Sequence, residues 1–249
     1  MSDKNDFHRK DREERRQEPD GLHVLHEDNH CIAVLKPARM LTAGDRTGDV
    51  SLLDRVRDYL KQKYQKPGNV FVGLVHRLDR PVSGVVLFAR TSKGAARLSE
   101  QFREGTVLKV YRAVVEGNVA DPNGEFVHWL LKNSETNTVR SVPPNTPSAR
   151  ASRLRYRELH SAGGLTLLEI TPETGRSHQI RVQLAERGHP ICGDGKYGSQ
   201  RAMQGAIALH ASQLTFDHPT RHEPVTVSAP DPANWEKLFP ALHRRRHEN

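Results

Sequence analysis

The sequence predicts an α+β fold: a central mixed, mainly antiparallel sheet with flanking helices. Three observations lead there. Extended patterns outnumber helical ones along the 249 residues. Several extended stretches follow one another with only turn residues between them, as around Gly163-Gly164, which suits antiparallel neighbours. Strands and helices do not alternate regularly, as a doubly wound parallel sheet would require.

Residues 1–20 hold six basic and seven acidic side chains, with Phe7 the only aromatic. Such a segment has too little apolar surface to form a core and is expected to be a flexible charged leader. The folded body is assigned to residues 21–240, and residues 241–249, with His243-Arg-Arg-Arg-His247, to a basic tail. Within the body, His23-Val-Leu25 and Cys31-Ile-Ala-Val-Leu35 read as strands separated by the turn Glu27-Asp-Asn-His30. Lys36-Pro37 ends the second, because proline lacks a donor and restricts its predecessor. Leu52, Leu53, Val56 and Leu60 have helical spacing, with Asp49 or Ser51 as cap and Pro67-Gly68 as breaker.

The apolar run Val85-Val-Leu-Phe-Ala89 reads as a buried strand. Thr91 or Ser92 then caps a helix carrying Ala95, Leu98 and Phe102 on one side, stopped near Gly105. Val107–Val115 reads as strand and Asp121-Pro-Asn-Gly124 as turn, while Pro143–Pro147 is a loop. Residues 125–142 receive no element. Ser152–Leu159 and Leu165–Ile170 form a strand pair, and Ser177 is expected to cap a helix with Ile180 and Leu184 buried, ended by Gly188. Ala206–Leu209 and Val225–Val227 supply late strands.

Net charge of +8 favours a polyanionic partner. No apolar run approaches the ~20 residues of a membrane span, and the N-terminus lacks a signal peptide's apolar stretch. Two cysteines, Cys31 and Cys192, suit a reducing compartment, so a cytoplasmic location is expected. The histidines show no His-Glu-x-x-His and no pairing with Cys-x-x-Cys, so no metal and no cofactor are expected. No heptad pattern appears, which leaves a monomer as the expectation.

The densest chemistry lies in Gly73-Leu-Val-His-Arg-Leu-Asp-Arg-Pro-Val-Ser-Gly84. It sets one carboxylate between two guanidiniums beside a buried strand, an arrangement more typical of a used site than of a structural one. In extended backbone Arg77 and Asp79 share a side while Leu78 packs inward.

This block and three others resemble the RluA family of RNA pseudouridine synthases. The others are Cys31-Ile-Ala-Val-Leu-Lys-Pro37, Lys109-Val-Tyr-Arg-Ala-Val-Val-Glu-Gly117 and Gly175-Arg-Ser-His-Gln-Ile-Arg-Val-Gln-Leu184, with His189-Pro-Ile-Cys-Gly-Asp-Gly-Lys-Tyr-Gly198 and Leu209-His-Ala211 beyond. The resemblance covers residues 22–228. It implies a pseudouridine synthase catalytic fold with an RNA-binding cleft, acting on structured RNA, rRNA or tRNA, and not on DNA or membrane, without cofactor or metal. It makes Asp79 the nucleophile, Arg181 its ionic partner and Tyr111 the residue against the uracil, where its hydroxyl assists proton removal at C5. His76 and Arg77 bind substrate or fill the space left by a flipped base. Arg176 contacts phosphate or frames the cleft, His178 counts among the substrate-binding residues, Leu209 forms an apolar wall, and Lys36, Arg80 and Lys109 add charge. Two positions depart from the pattern: Val82 stands where threonine is usual, and Gln183 where histidine is common. A non-catalytic RNA-binding module and a nucleosidase releasing the base to water are the competing readings.

Overall fold

The unbroken apolar runs at Cys31 and Val85 become adjacent central strands, β2 (Cys31–Lys36) and β4 (Ser83–Ala89), paired antiparallel. Alternate side chains feed two cores, one on each face. Ile32, Val34, Val86 and Phe88 enter the larger, and Cys31, Ala33, Val85, Leu87 and Ala89 the smaller. Burial on both faces explains why these strands lack the alternation of a half-exposed strand.

This computed structural model describes residues 21–243. The leader assigned to residues 1–20, and residues 244–249 of the tail, lie outside the described residues. The remaining strands are β1 (His23–Glu27), β3 (Gly73–Leu74), β5 (Leu108–Glu116), β6 (Asn123–Asn133), β7 (Thr138–Val142), β8 (Arg150–Ala162), β9 (Leu165–Pro172), β10 (Leu209–Asp217) and β11 (Pro224–Ser228). Their order is β1-β2-β4-β10-β5-β9-β8-β6-β7, with β3 beside β4 and β11 beside β10. Among the described residues every strand pairing is antiparallel except β4–β10, a parallel join through His210↔Ser83 and Ala211↔Gly84. The fold is therefore α+β with a mixed, mainly antiparallel sheet.

The parallel join requires a glycine. Gly84 has φ 126°, and a Cβ there would lie 2.3 Å from the Ala211 carbonyl oxygen. The two strands meet closely enough that a methyl group would separate them.

Two helices cover opposite faces. α1 (Leu52–Lys63) buries Leu52, Val56 and Leu60 in the larger core, and α2 (Ser92–Glu104) buries Leu98 in the smaller, with Ala95 and Phe102 packed beside it. Each fully buried leucine contributes about 1.5–3 kcal/mol. Of the two expected caps for α1, Ser51 serves: its Oγ accepts from Asp54 N while Asp54 Oδ2 accepts from Ser51 N. Asp49 instead pairs with Arg80 at 2.6 Å. Thr91 caps α2, and Gly105 ends it at φ 79°.

Four expectations change. Ser177 does not cap α3 (Gln179–Glu186); His178 holds that place at φ 51° without a side-chain cap bond. The unassigned stretch 125–142 contains most of β6 and all of β7, an outer hairpin. The strand expected over Ala206–Leu209 begins only at Leu209, because Ala208 N donates to Cys192 O and Ala208 O accepts from Val114 N outside a regular ladder. Finally, α4 (Trp235–Leu238) and α5 (Pro240–His243) close the described chain. Trp235, Phe239 and Leu242 join the larger core, so the packed body continues into the first residues assigned to the tail.

Candidate active site

The backbone around Asp79 is fixed before its carboxylate does anything. Buried Leu78 is held by Thr42, whose Oγ1 donates to Leu78 O (2.9 Å) and accepts from Leu78 N (3.2 Å). One residue beyond Asp79, Arg80 O accepts from Lys36 Nζ at 3.2 Å. The same ammonium donates to Pro37 O and Met40 O. Val82 N closes a turn onto Asp79 O at 3.0 Å. With Leu78 anchored inward, Arg77 and Asp79 face a cleft of about 620 Å³, a volume within the usual range for ligand sites. Burial pulls the Lys36 ammonium down to about 7, and the Asp79 charge opposes that fall.

From the opposite wall comes Arg181, on α3. It is 6% exposed and reaches two carboxylates. Nη1 donates to Asp79 Oδ2 at 3.1 Å, while Nε and Nη2 form a fork on Asp194 at 2.6 and 2.8 Å. Burial works against its charge, but the bonds to Asp194 and the charges of Asp194 and Asp79 outweigh it and raise its affinity for the proton. Arginine's planar fork suits this double task better than a lysine point charge would. The guanidinium also lies over the Tyr197 ring, 4.9 Å from its centroid.

Asp79 is thus held by one oxygen only. Among the described residues no donor reaches Oδ1, and the side chain is 32% exposed. A tethered carboxylate with its second oxygen open to a cleft can attack an electrophilic carbon or accept a proton.

The cleft brings together seven of the eight residues expected from sequence: Asp79, Tyr111, Arg181, Arg77, Arg176, His178 and Leu209. Tyr111 stands on β5, and burial, with the Asp79 charge, pushes its phenol up. Leu209 begins β10 and is buried. Arg176 Nε donates to Ala151 O at 3.3 Å. His76 is set apart from the lining. Its ring stacks on Phe102, 4.5 Å between centroids, and its Nε2 accepts from Leu87 N at 2.9 Å. Burial holds the imidazole down to about 3, with the Lys109 charge adding to the effect.

Charge in the cleft has one dominant sign. Of the lining cations, Arg80 pairs with Asp49 and Arg181 with Asp194 and Asp79, whereas Arg77, Lys109, Lys132, Arg176 and Lys196 have no ion-pair partner among the described residues. On β8, by contrast, Arg153, Arg155 and Arg157 are matched by Glu125, Glu173 and Glu169. The unbalanced positive field therefore sits at the carboxylate, where a polyanion would be drawn.

Sequence reasoning gave no role to Asp194, Tyr197, Thr42 or Lys132. The first two lie inside the quoted block Gly193-Asp-Gly-Lys-Tyr-Gly198, but their roles depend on that block folding back against α3. Elsewhere, His26, Asp28 and Cys31 place three donor atoms within 4.8 Å of one another. They are already occupied: Asp28 accepts from His30 N and Cys31 N and bonds His26 and His218. Burial and the Asp28 charge push the Cys31 thiol up to about 12, away from the thiolate a metal needs.

Residues 30–186 match the family model described as RNA pseudouridylate synthase. The chain belongs to that family. A ribosomal large subunit pseudouridine synthase C of Vibrio vulnificus is 33% identical over 230 residues, covering 90% of this chain and 70% of that protein. A tRNA pseudouridine synthase C of Yersinia pestis is 32% identical over 240 residues, covering 88% of this chain and 90% of that one. Human RNA pseudouridylate synthase domain containing 4 superposes with a TM-score of 0.71 at 22% identity, over 85% of this chain and 89% of that chain. Human domain containing 1 gives 0.69 at 24%, over 87% of each. These two share the fold.

The two departures from the pattern have different consequences in this synthase. Val82 is buried in the larger core and lines the cleft with a side chain that has no hydroxyl to donate. Fully buried Gln183 ties α3 to the outer strands, its Nε2 donating to Phe126 O at 3.0 Å and to Ser152 O at 3.3 Å. Two carbonyl acceptors fix the amide orientation and leave Oε1 without a partner. Among the described residues no helix is long and apolar enough to cross a membrane.

Proposed function

We propose that this pseudouridine synthase isomerises uridine within folded rRNA or tRNA, using Asp79 as nucleophile and no cofactor. The observation that carries the reading is the one-sided grip on Asp79: Oδ2 on Arg181, Oδ1 open to a cationic cleft walled by Tyr111 and Leu209.

The target uridine first leaves its stack, at a cost of a few kcal/mol that is smallest in a loop or irregular helix. Cleft cations hold phosphates without reading bases. Asp79 Oδ1 then attacks ribose C1′, forming a C1′–O bond as the C1′–N1 bond breaks. Tyr111 and Leu209 keep the uracil captive while it turns. C5 displaces the carboxylate at C1′, the C5 proton is lost, and N1 gains a proton, so no atoms are lost overall. Arg181 stays paired with Asp79 and Asp194, which holds the carboxylate in place between turnovers. Tyr111 begins as a neutral phenol. Tyr111, which lines the cleft with Asp79, takes part in removing the C5 proton after C5 has displaced the carboxylate.

The test is tritium release from 5-³H-uridine RNA lacking its own modification, with mapping of the product. Asp79→Asn should bind RNA with near wild-type affinity and release no tritium. Turnover by that variant would rule out the nucleophile, and free uracil as product would replace isomerisation by hydrolysis.

A further inference from the structure

His178 touches none of the chemistry assigned above, yet three observations give it a defined proton and direction. Its Nδ1 lies 2.6 Å from Tyr197 Oη, its Nε2 lies 3.7 Å from Asp79 Oδ2, and Tyr197 Oη accepts from Val139 N at 3.0 Å. A tyrosine hydroxyl has one proton to give. If Nδ1–H donated to Tyr197, that proton would have no acceptor among the described residues. The Tyr197 proton therefore goes to Nδ1, and the ring's own proton must sit on Nε2. Burial also favours the neutral imidazole.

We propose that His178 is a positioning residue for Asp79: Tyr197 fixes its tautomer, so that Nε2–H is directed at Oδ2. In the structure 3.7 Å is too long for a hydrogen bond, and Asp79, 32% exposed against 7% for His178, is the less enclosed partner. A shift of well under 1 Å puts Oδ2 between two donors, Arg181 Nη1 and His178 Nε2. Oδ1 is then the only oxygen left to face C1′. His178 holds this place with a left-handed backbone, φ 51°. The inference rests on the uridine-isomerase reading for its meaning, but its first test needs no RNA.

That test is the ¹⁵N spectrum of the His178 ring near neutral pH, which distinguishes the two neutral tautomers directly. The expected result is the Nε2–H form in wild type and a mixture in Tyr197→Phe, which keeps the ring over Arg181. Turnover then tests the consequence. Tyr197→Phe should lower kcat roughly tenfold, the worth of one positioned hydrogen bond, with KM little changed. Losing the donor to Nδ1 lets the ring adopt the Nδ1–H tautomer, whose Nε2 lone pair faces the Asp79 oxygen instead of a proton. The charged groups acting on His178 (Asp79, Arg181, Lys196 and Asp194) are all retained in that variant. His178→Gln, whose amide N–H can stand in for Nε2–H, should keep more activity than His178→Ala at equal melting temperature. An Nδ1–H tautomer in wild type, or an unchanged kcat in Tyr197→Phe, overturns the proposal. Because the tautomer is read without substrate, failure there leaves the assignment of Asp79 untouched.

Discussion

Replacing Asp194 by Asn should disable the site without touching any residue that faces substrate. Asp194 is 2% exposed and takes two donors from Arg181 at 2.6 and 2.8 Å. In Asp194→Asn the new amide would accept one of these bonds and oppose the other, donor against donor, while the buried guanidinium loses its principal counter-charge. Breaking a buried pair costs about 3–5 kcal/mol, and retaining one acceptor places this case near the lower end of that range. At about 2–4 °C per kcal/mol for a chain of this size, the melting temperature should fall by roughly 6–12 °C. Turnover should fall as well, because Arg181 then depends on Asp79 alone and draws both carboxylate oxygens toward itself. Urea unfolding measures the first effect, and tritium release, at a temperature where both proteins are folded, the second. The double variant Arg181→Met with Asp194→Leu removes cation and anion together and should be less destabilised than Asp194→Asn. If Asp194→Asn unfolds within about 0.5 kcal/mol of wild type, the range of ordinary surface changes, the Arg181 fork is not the support described.

Two further outcomes follow from the same geometry. His76 is held down to about 3 against an ordinary value of 6.5. Below pH 6.5 the unfolded chain therefore binds a proton that the folded one refuses. The stability this group contributes is complete above about 6.5 and drains as pH falls toward 3. Replacing His76 by Phe should flatten the loss between about pH 6.5 and 4 in urea midpoints, and lower stability at neutral pH by about 1–3 kcal/mol because Leu87 N loses its acceptor; parallel pH curves for the two proteins would refute this. Gly84→Ala sets a methyl group against the Ala211 backbone at a φ of 126° and should cost about 3 kcal/mol or more. A Gly84→Ala protein with wild-type midpoint would show that the parallel join is looser than described.

Much of this was legible in the chain because local and global signals agreed. The runs at Cys31 and Val85 could hardly be anything but buried strands, and the capping box at Ser51 and the stop at Gly105 are local devices whose effect travels little. The active-site residues were legible for another reason: their blocks match a family pattern, and in isolation Arg181 reads as a solvated helical arginine. What escaped depends on distance. Asp194 is 13 residues from Arg181 and Thr42 is 36 from Leu78, and nothing local announces either contact. His178 could not be foreseen as the left-handed N-cap of α3, since Ser177 has the better capping side chain. β6 and β7 escaped because their outer hairpin alternates irregularly between buried and exposed positions.

The parallel join also divides the active site between two portions of the chain. Asp79 lies on the side of the join built from β1 to β4, whereas Tyr111, Arg181, Asp194 and Leu209 belong to the other side. The contact between Asp79 and Arg181 spans 102 residues, and that between Ser83 and His210 spans 127. Such closures are among the slowest events for a folding chain, because the entropy of a long loop must be lost before the contact rewards it. Each portion can gather its own hairpins early, yet neither holds a complete constellation. Catalytic competence therefore requires this long-range closure and cannot belong to either portion alone.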